Sequence, residues 1–257
     1  MVFIDTHTHL YAEEFDGDRP EVIRRAAEQG VAGLLFPAID SKYHLRMLQL
    51  AAAFPGLCYP MMGLHPTSVR EDFQKELDIV SDYLEDPAYR FVAIGEIGID
   101  LYWDKTFEEA QKKAFSMQLD LATHYDLPVV VHTRNSMDIA LGMIAERQDP
   151  RIRGVFHCFS GNTEQARRAI SLGFMLGIGG VITYKNSGLQ TVVENTGLEH
   201  LLLETDAPYL PPVPYRGQRN ESSYLPLIAR KIAELKNTEP EEVETATSNN
   251  AKRLFAI

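Results

Sequence analysis

An α/β fold of the single-domain (β/α)8 TIM-type barrel class is predicted by three observations. Eight short apolar runs rich in Val, Ile, Leu and Phe recur along the chain, and segments with apolar residues three and four apart lie between them. The length of 257 residues is what eight such units need. Continuously apolar strands are buried on both faces, which implies a parallel sheet covered by helices. A doubly wound open sheet is the alternative; it often shows a Gly-rich first turn, whereas the first turn here is Thr6-His7-Thr8-His9.

The strand candidates run near Val2 to Thr6, Val31 to Pro37, Leu57 to Leu64, Phe91 to Ile97, Pro128 to Thr133, Gly154 to Phe159, Phe174 to Ile178 and His200 to Thr205. Helical periodicity marks Asp18 to Gln29, Ser41 to Phe54, Glu71 to Leu84, Thr106 to His124 and Thr163 to Leu172. The last stretch predicts helices over about Tyr224 to Leu235 and Pro240 to Thr247, followed by Asn249 to Phe255. No repeat, low-complexity tract or linker interrupts residues 1–257, so one domain is expected.

With 45% hydrophobic and 24% charged residues the chain is expected to be soluble and globular. Its net charge of −11 excludes a broad surface that attracts nucleic acid, so any anionic substrate must be held locally. No apolar run reaches the roughly 20 residues that span a bilayer, and the first residues lack a basic segment with a small-residue cleavage site. A cytoplasmic location without membrane attachment is expected, and no feature calls for an obligate protein partner. Cys58 and Cys158 are too few for a disulfide framework and stand in apolar runs, as buried reduced thiols do.

Barrel enzymes gather their chemistry at the C-terminal ends of the strands. His7 and His9 follow the apolar run that ends at Ile4, and in an extended strand Phe3, Asp5, His7 and His9 share one side. A lone His-x-His is more often two loop residues than a metal site. Here, however, His65, Glu96, His132, His157 and Asp206 fall at other strand ends, which places five of the eight histidines at strand exits. Imidazoles with carboxylates suit Zn²⁺, Mn²⁺, Ni²⁺ or Fe²⁺, and one carboxylate can bridge two ions roughly 3.5–4 Å apart. His44, His124 and His200 lie away from this rim and receive no function. Cys158 is expected to face the helices, opposite to His157.

Several segments together carry a family likeness: Phe3-Ile-Asp-Thr-His-Thr-His-Leu10, Gly63-Leu-His-Pro66, Gly95-Glu-Ile-Gly-Ile-Asp100, Leu127-Pro-Val-Val-Val-His-Thr-Arg134, His157-Cys-Phe-Ser-Gly161 and Leu203-Glu-Thr-Asp-Ala-Pro-Tyr-Leu210. Arg216-Gly-Gln-Arg-Asn220 and Asn250-Ala-Lys-Arg-Leu-Phe255 complete the set. The chain resembles, over nearly its whole length, the TatD-type metal-dependent deoxyribonucleases within the amidohydrolase-like barrels. The resemblance implies His7, His9 and Asp206 as ligands of one metal, His132 and His157 as ligands of a second, and Glu96 as the bridge. It implies Mg²⁺ or Mn²⁺, while the ligand types alone also admit Zn²⁺. The chain departs from the family at Glu221, followed by Ser222-Ser223 where Pro-Ala is frequent, and over Leu101 to Lys105.

The implied activity is exonucleolytic cleavage of phosphodiester bonds in single-stranded DNA by a metal-bridging hydroxide. Glu96, Asp206 and His65 are the catalytic candidates: Asp206 as proton acceptor for the water, His65 as hydrogen-bond donor to the phosphate. Arg134, Arg216 and Arg219 are candidate phosphate contacts, each with an alternative reading as a loop-fixing ion pair or a solvated charge. Among the loop aromatics Trp103 is the best candidate for substrate contact. Asp5 is either a carboxylate beneath the metals that orients a ligand or a hydrogen-bonded residue of the barrel floor, and Glu204 is a supporting residue deeper in the barrel. Two other functions remain open from the residues: a metal-dependent amidohydrolase or lactonase on a small molecule, and a non-catalytic scaffold stabilised by metal.

Overall fold

Eight parallel strands appear in the computed structural model, which describes residues 2–257. They are β1 (Phe3–Asp5), β2 (Val31–Phe36), β3 (Cys58–Pro60), β4 (Ile94–Asp100), β5 (Val129–Arg134), β6 (Gly154–Phe156), β7 (Phe174–Ile178) and β8 (Leu201–Leu203). Each pairs with the next in chain order within β1–β3 and within β4–β8. Two seams join these sheets. At one, Met62 N–H donates to Ala93 O and Gly95 N–H to Met62 O. At the other, Thr6 N–H donates to Leu203 O, Asp206 N–H to His7 O and His9 N–H to Ala207 O. The result is a closed barrel, as the strand count predicts.

The principal helices cover the outside: α1 (Arg19–Glu28), α2 (Ser41–Ala53), α3 (Phe73–Glu85), α4 (Glu108–Tyr125), α5 (Met137–Arg147), α6 (Thr163–Ser171), α7 (Leu189–Glu194), α8 (Leu225–Lys236) and α9 (Pro240–Phe255). Alternation along the strands divides the core. Leu34, Phe36, Val131, Phe156 and Leu176 join the large cluster with helix residues such as Ile23, Leu119 and Ile228. Ile4, Leu35, Met61, Ala93, Val130, Val155 and Leu202 form a separate cluster inside the barrel floor, sealed by Ala251, Leu254 and Phe255 of α9.

The structure corrects several boundaries: β3 stops at Pro60, β6 at Phe156 and β8 at Leu203, short of the expected Leu64, Phe159 and Thr205, and three further differences bear on the site and the floor. Helix α9 runs unbroken where the polar string Thr247-Ser248-Asn249-Asn250 suggested an interruption. Thr247 Oγ1 donates to Val243 O, Ser248 Oγ to Val2 O, and Asn250 Nδ2 to Leu198 O and Leu201 O, so these side chains bind backbone without ending the helix. Strand β4 begins and ends three residues later than expected: Val92 N–H is taken by Pro60 O, and pairing with β5 continues to Asp100 opposite Arg134. Strand β1 stops at Asp5, before the histidines, so strict alternation fails there. Ile4 enters the floor cluster, whereas Asp5 turns to the β8 side.

Phe255 is 3% exposed and closes the barrel floor. Phe255→Ala is expected to cost about 3–5 kcal/mol, the usual loss for such a cavity. Denaturant unfolding checks this, and a loss below about 1 kcal/mol would show that α9 does not complete the core.

Candidate metal centre

Glu96 is the extra residue of a bulge in β4: Gly95 pairs with Val130 and Ile97 with Val131, which leaves Glu96 unpaired. A bulge re-aims a side chain, and this one directs a carboxylate, 2% exposed, into the barrel mouth. Its two oxygens face different groups. Oε2 lies 3.2 Å from His7 Nε2 and 3.9 Å from His9 Nε2, while Asp206 Oδ1 lies 3.6 and 3.5 Å from those nitrogens. Oε1 lies 2.8 Å from His132 Nδ1, 2.9 Å from His157 Nε2 and 3.2 Å from His65 Nε2. The sequence-predicted ligands His7, His9, Glu96, His132, His157 and Asp206 thus meet at one place, together with His65.

Hydrogen bonding fixes which nitrogen of each ring is free. Tyr11 Oη donates to Pro37 O at 2.5 Å, so it accepts from His9 Nδ1 at 2.8 Å, which in the neutral ring leaves Nε2 free. That bare nitrogen points at the oxygens of Asp206 and Glu96. The His132 Nε2–H meets Asp100 Oδ2 at 3.0 Å, which in the neutral ring leaves Nδ1 free towards Glu96. His65 is the opposite case. Its Nδ1 accepts from Thr67 N–H at 3.1 Å, so the proton sits on Nε2 and His65 is a donor rather than a ligand.

The donor set fits a metal. Neither ring nitrogen of buried His7 has a hydrogen-bond partner, nor does His157 Nδ1. In the neutral ring the His9 Nε2 lone pair faces Asp206 Oδ1 at 3.5 Å and Glu96 Oε2 at 3.9 Å, an arrangement that a cation between them would stabilise. Ligands at 2.0–2.2 Å around a tetrahedral ion are separated by roughly 3.3–3.6 Å, close to the spacing of the His7, His9, Glu96 and Asp206 donors. Among the described residues, three overlapping groups have all donor atoms within 4.8 Å of one another: His7 with His157 and Asp206, His7 with His9 and Glu96, and His65 with Glu96 and His132.

Electrostatics follow from burial and neighbours. Burial pushes the Glu96 carboxyl up, but His157, His65 and His7 outweigh it and hold the group well below the usual carboxylate range. Burial lowers His7 and His65, and for His7 the nearby His157 adds to the effect. His157 is also desolvated, yet Glu96 and Glu204 hold it well above its ordinary value. Asp206 adopts a left-handed backbone conformation, φ 56°, that turns the chain just past β8.

Supporting residues show where sequence reasoning stopped. Asp5 accepts from Thr205 N–H at 2.9 Å and from the Thr205 hydroxyl at 2.6 Å, with His7 N–H at 3.4 Å. It therefore steadies the backbones that carry His7 and Asp206; burial raises its pKa to about 7. Glu204 accepts from Cys158 N–H and lies 3.6 Å from His157 Nδ1. Asp100 and Tyr11, the partners of His132 and His9, went unassigned in the sequence. Parity offered a signal for Asp100, which is four residues beyond Glu96 on the same strand face.

The rim residues separate clearly. Arg219 pairs bidentately with Asp18 at 2.7 Å for both contacts and reaches Glu221 at 3.0 Å, so it ties the loop after β8 to α1 and is not free for substrate. Arg134 is exposed, stacks over Tyr102 at 3.7 Å and Trp103 at 5.2 Å, and has no carboxylate partner among the described residues. Arg216 lies over the Tyr184 ring at 4.5 Å. Cys158 departs from expectation. Strand β6 ends at Phe156 and Cys158 has φ 44°, so alternation no longer applies; burial, then Asp206, Glu204 and Glu96, push its thiol pKa well up.

A parallel barrel whose mouth holds a buried carboxylate ringed by imidazoles defines the class of metal-dependent hydrolase barrels. Comparison with known proteins agrees. Residues 4–256 match the family model described as TatD related DNase. The uncharacterized metal-dependent hydrolase YabD of Bacillus subtilis strain 168 is 36% identical over 258 residues, covering 100% of each chain. The 3'-5' ssDNA/RNA exonuclease TatD of Pectobacterium carotovorum strain PC1 is 32% identical over 98% of this chain and 99% of its own. The crystal structure of YjjV, a TatD homolog from Escherichia coli K12, superposes with a TM-score of 0.93 at 36% identity, covering 99% of this chain and 98% of that one. The chain belongs to the TatD family of metal-dependent hydrolases. No helix among the described residues is long and apolar enough to cross a membrane.

Asp100 fixes the tautomer and orientation of His132, a role whose loss usually weakens metal binding about 10- to 100-fold. Asp100→Asn is expected to lower affinity by that factor in chelator competition, with the helical signal in circular dichroism unchanged. Wild-type affinity in a folded variant would remove Asp100 from the support of the site.

Proposed function

We propose that the protein is a two-metal exonuclease that removes nucleotides from single-stranded DNA in the 3'-to-5' direction. The observation that carries the two-metal reading is the division of labour at Glu96: Oε2 belongs with His7, His9 and Asp206, and Oε1 with His132 and His157. These residues would hold two divalent cations, Mg²⁺ or Mn²⁺ by family likeness, or Zn²⁺ by ligand type. When bound, such cations lower the pKa of water and offset charge developing on phosphoryl oxygens. The nucleic-acid substrate is supported by the likeness to the Pectobacterium 3'-5' ssDNA/RNA exonuclease and by the Arg134 guanidinium beside the site, which has no carboxylate partner among the described residues.

The remaining steps fall to side chains whose protonation the structure constrains. Asp206 directs Oδ1 at His7 and His9, and its other oxygen accepts the proton of the attacking water. His65 presents Nε2–H to a nonbridging phosphoryl oxygen, a donor role secured by Thr67 on Nδ1. Arg134 holds the phosphate through its planar guanidinium. The acidic exterior leaves these local groups to secure the strand.

The decisive assay is mononucleotide release from end-labelled single-stranded DNA by metal-stripped protein, restored in turn with Mg²⁺, Mn²⁺ and Zn²⁺. Release is expected with at least one ion and is expected to be lost in Glu96→Ala. Absence of release from folded, metal-loaded protein, together with turnover of a lactone or cyclic amide, would replace this function with small-molecule hydrolysis.

The two arginines give a second test. Arg134→Ala is expected to raise KM for single-stranded DNA at least roughly tenfold, the effect of losing a charge-assisted hydrogen bond. Arg219→Ala is expected to lower the thermal midpoint instead, since it severs the loop from α1. The reverse pattern in steady-state kinetics and thermal melts would reassign both.

A further inference from the structure

Trp103 is the only tryptophan of the chain, and 70% of its surface is exposed on the loop after β4. An aromatic that pins loops together is covered by them; this indole is not. The backbone that carries it is nonetheless held. The Asp100 Oδ1 atom accepts from Tyr102 N–H at 2.9 Å and faces Trp103 N–H at 3.4 Å, while Oδ2 of the same carboxylate holds His132. Tyr102 meets the indole edge to face at 4.9 Å, and Arg134 lies over both rings.

A cavity of about 240 Å³ opens beside the indole, with Thr67, Arg70, Asp104 and Gln111 among its walls. Thr67 is also the residue that holds His65 Nδ1. The cavity therefore lies between the loop that supports His65 and the loop that carries Trp103, at the edge of the candidate metal centre. It offers a flat π surface, polar walls and an adjacent uncompensated cation.

We propose that Trp103, backed by Tyr102 and Arg134, is a stacking subsite for the nucleobase next to the cleaved phosphodiester, held in register with the metal centre by Asp100. The occupant is a base rather than a purely apolar group, because polar walls and a guanidinium surround the ring and an aromatic face accepts any base. This subsite rests on the nuclease function proposed above and adds to it a contact that reads the presence of a base and not its sequence.

The single tryptophan makes the test direct, since all tryptophan emission comes from the proposed subsite. Metal-loaded protein is titrated with a phosphorothioate oligothymidylate and with an abasic strand of equal length. The base-bearing strand is expected to quench emission and to bind roughly 5- to 150-fold more tightly than the abasic one. In hydrolysis of ordinary single-stranded DNA, Trp103→Ala is expected to lower kcat/KM within the same range, and Trp103→Phe to recover most of the loss. Hydrolysis with unmoved emission and equal affinity for the two strands would overturn the subsite and leave the nuclease function standing. Base-dependent quenching without hydrolysis would support the subsite and overturn the catalytic assignment. Neither response would overturn both.

Discussion

The architecture of the barrel mouth depends on one buried negative charge. A carboxylate 2% exposed is costly unless its surroundings return what water gave it, and at Glu96 four imidazoles stand within 3.2 Å of its oxygens. Each of those rings has its own arrangement: Asp100 on His132, Glu204 near His157, Thr67 on His65, and on His7 two nitrogens without a hydrogen-bond partner among the described residues. The centre is a set of nested hydrogen-bonding decisions about which nitrogen bears a proton. Residues that never approach a substrate make those decisions.

The closing seam between β8 and β1 serves the same centre. Asp5 joins Thr205 to the turn at His7, and Asp206 N–H binds His7 O, so a ligand from the first strand and one from the last are locked together by backbone. Asn220 continues this outward: its amide donates to Thr205 O at 2.7 Å and Tyr209 O at 2.6 Å, which fastens the long loop after Asp206 over the seam. Closure of the barrel and assembly of the site are one event.

Much of this was legible in the sequence because strand ends and chemistry coincide. The apolar runs located the eight strands, and the polar residue that followed a run was in most cases a residue of the centre. What escaped depended on geometry that periodicity does not encode. The β4 bulge that frees Glu96 is invisible in a string of residues, and the early end of β1 broke the alternation that had put Asp5, His7 and His9 on one strand face. Arg134 and Arg219 looked alike until Asp18, distant in sequence, claimed one of them. The polar cluster in α9 resembled a helix end because its acceptors, Leu198 O, Leu201 O and Val2 O, lie on other elements.

The seal on the barrel floor carries a consequence for biogenesis. Ala251, Leu254 and Phe255 cover a layer that includes Ile4, so this side chain of β1 is shielded only when α9 docks, whereas Phe3 joins the large cluster. A chain in which α9 has not docked thus presents this apolar layer to solvent. Such a polypeptide offers chaperones and proteases a clear mark of incompleteness, and loses it only when the final turns of α9 dock.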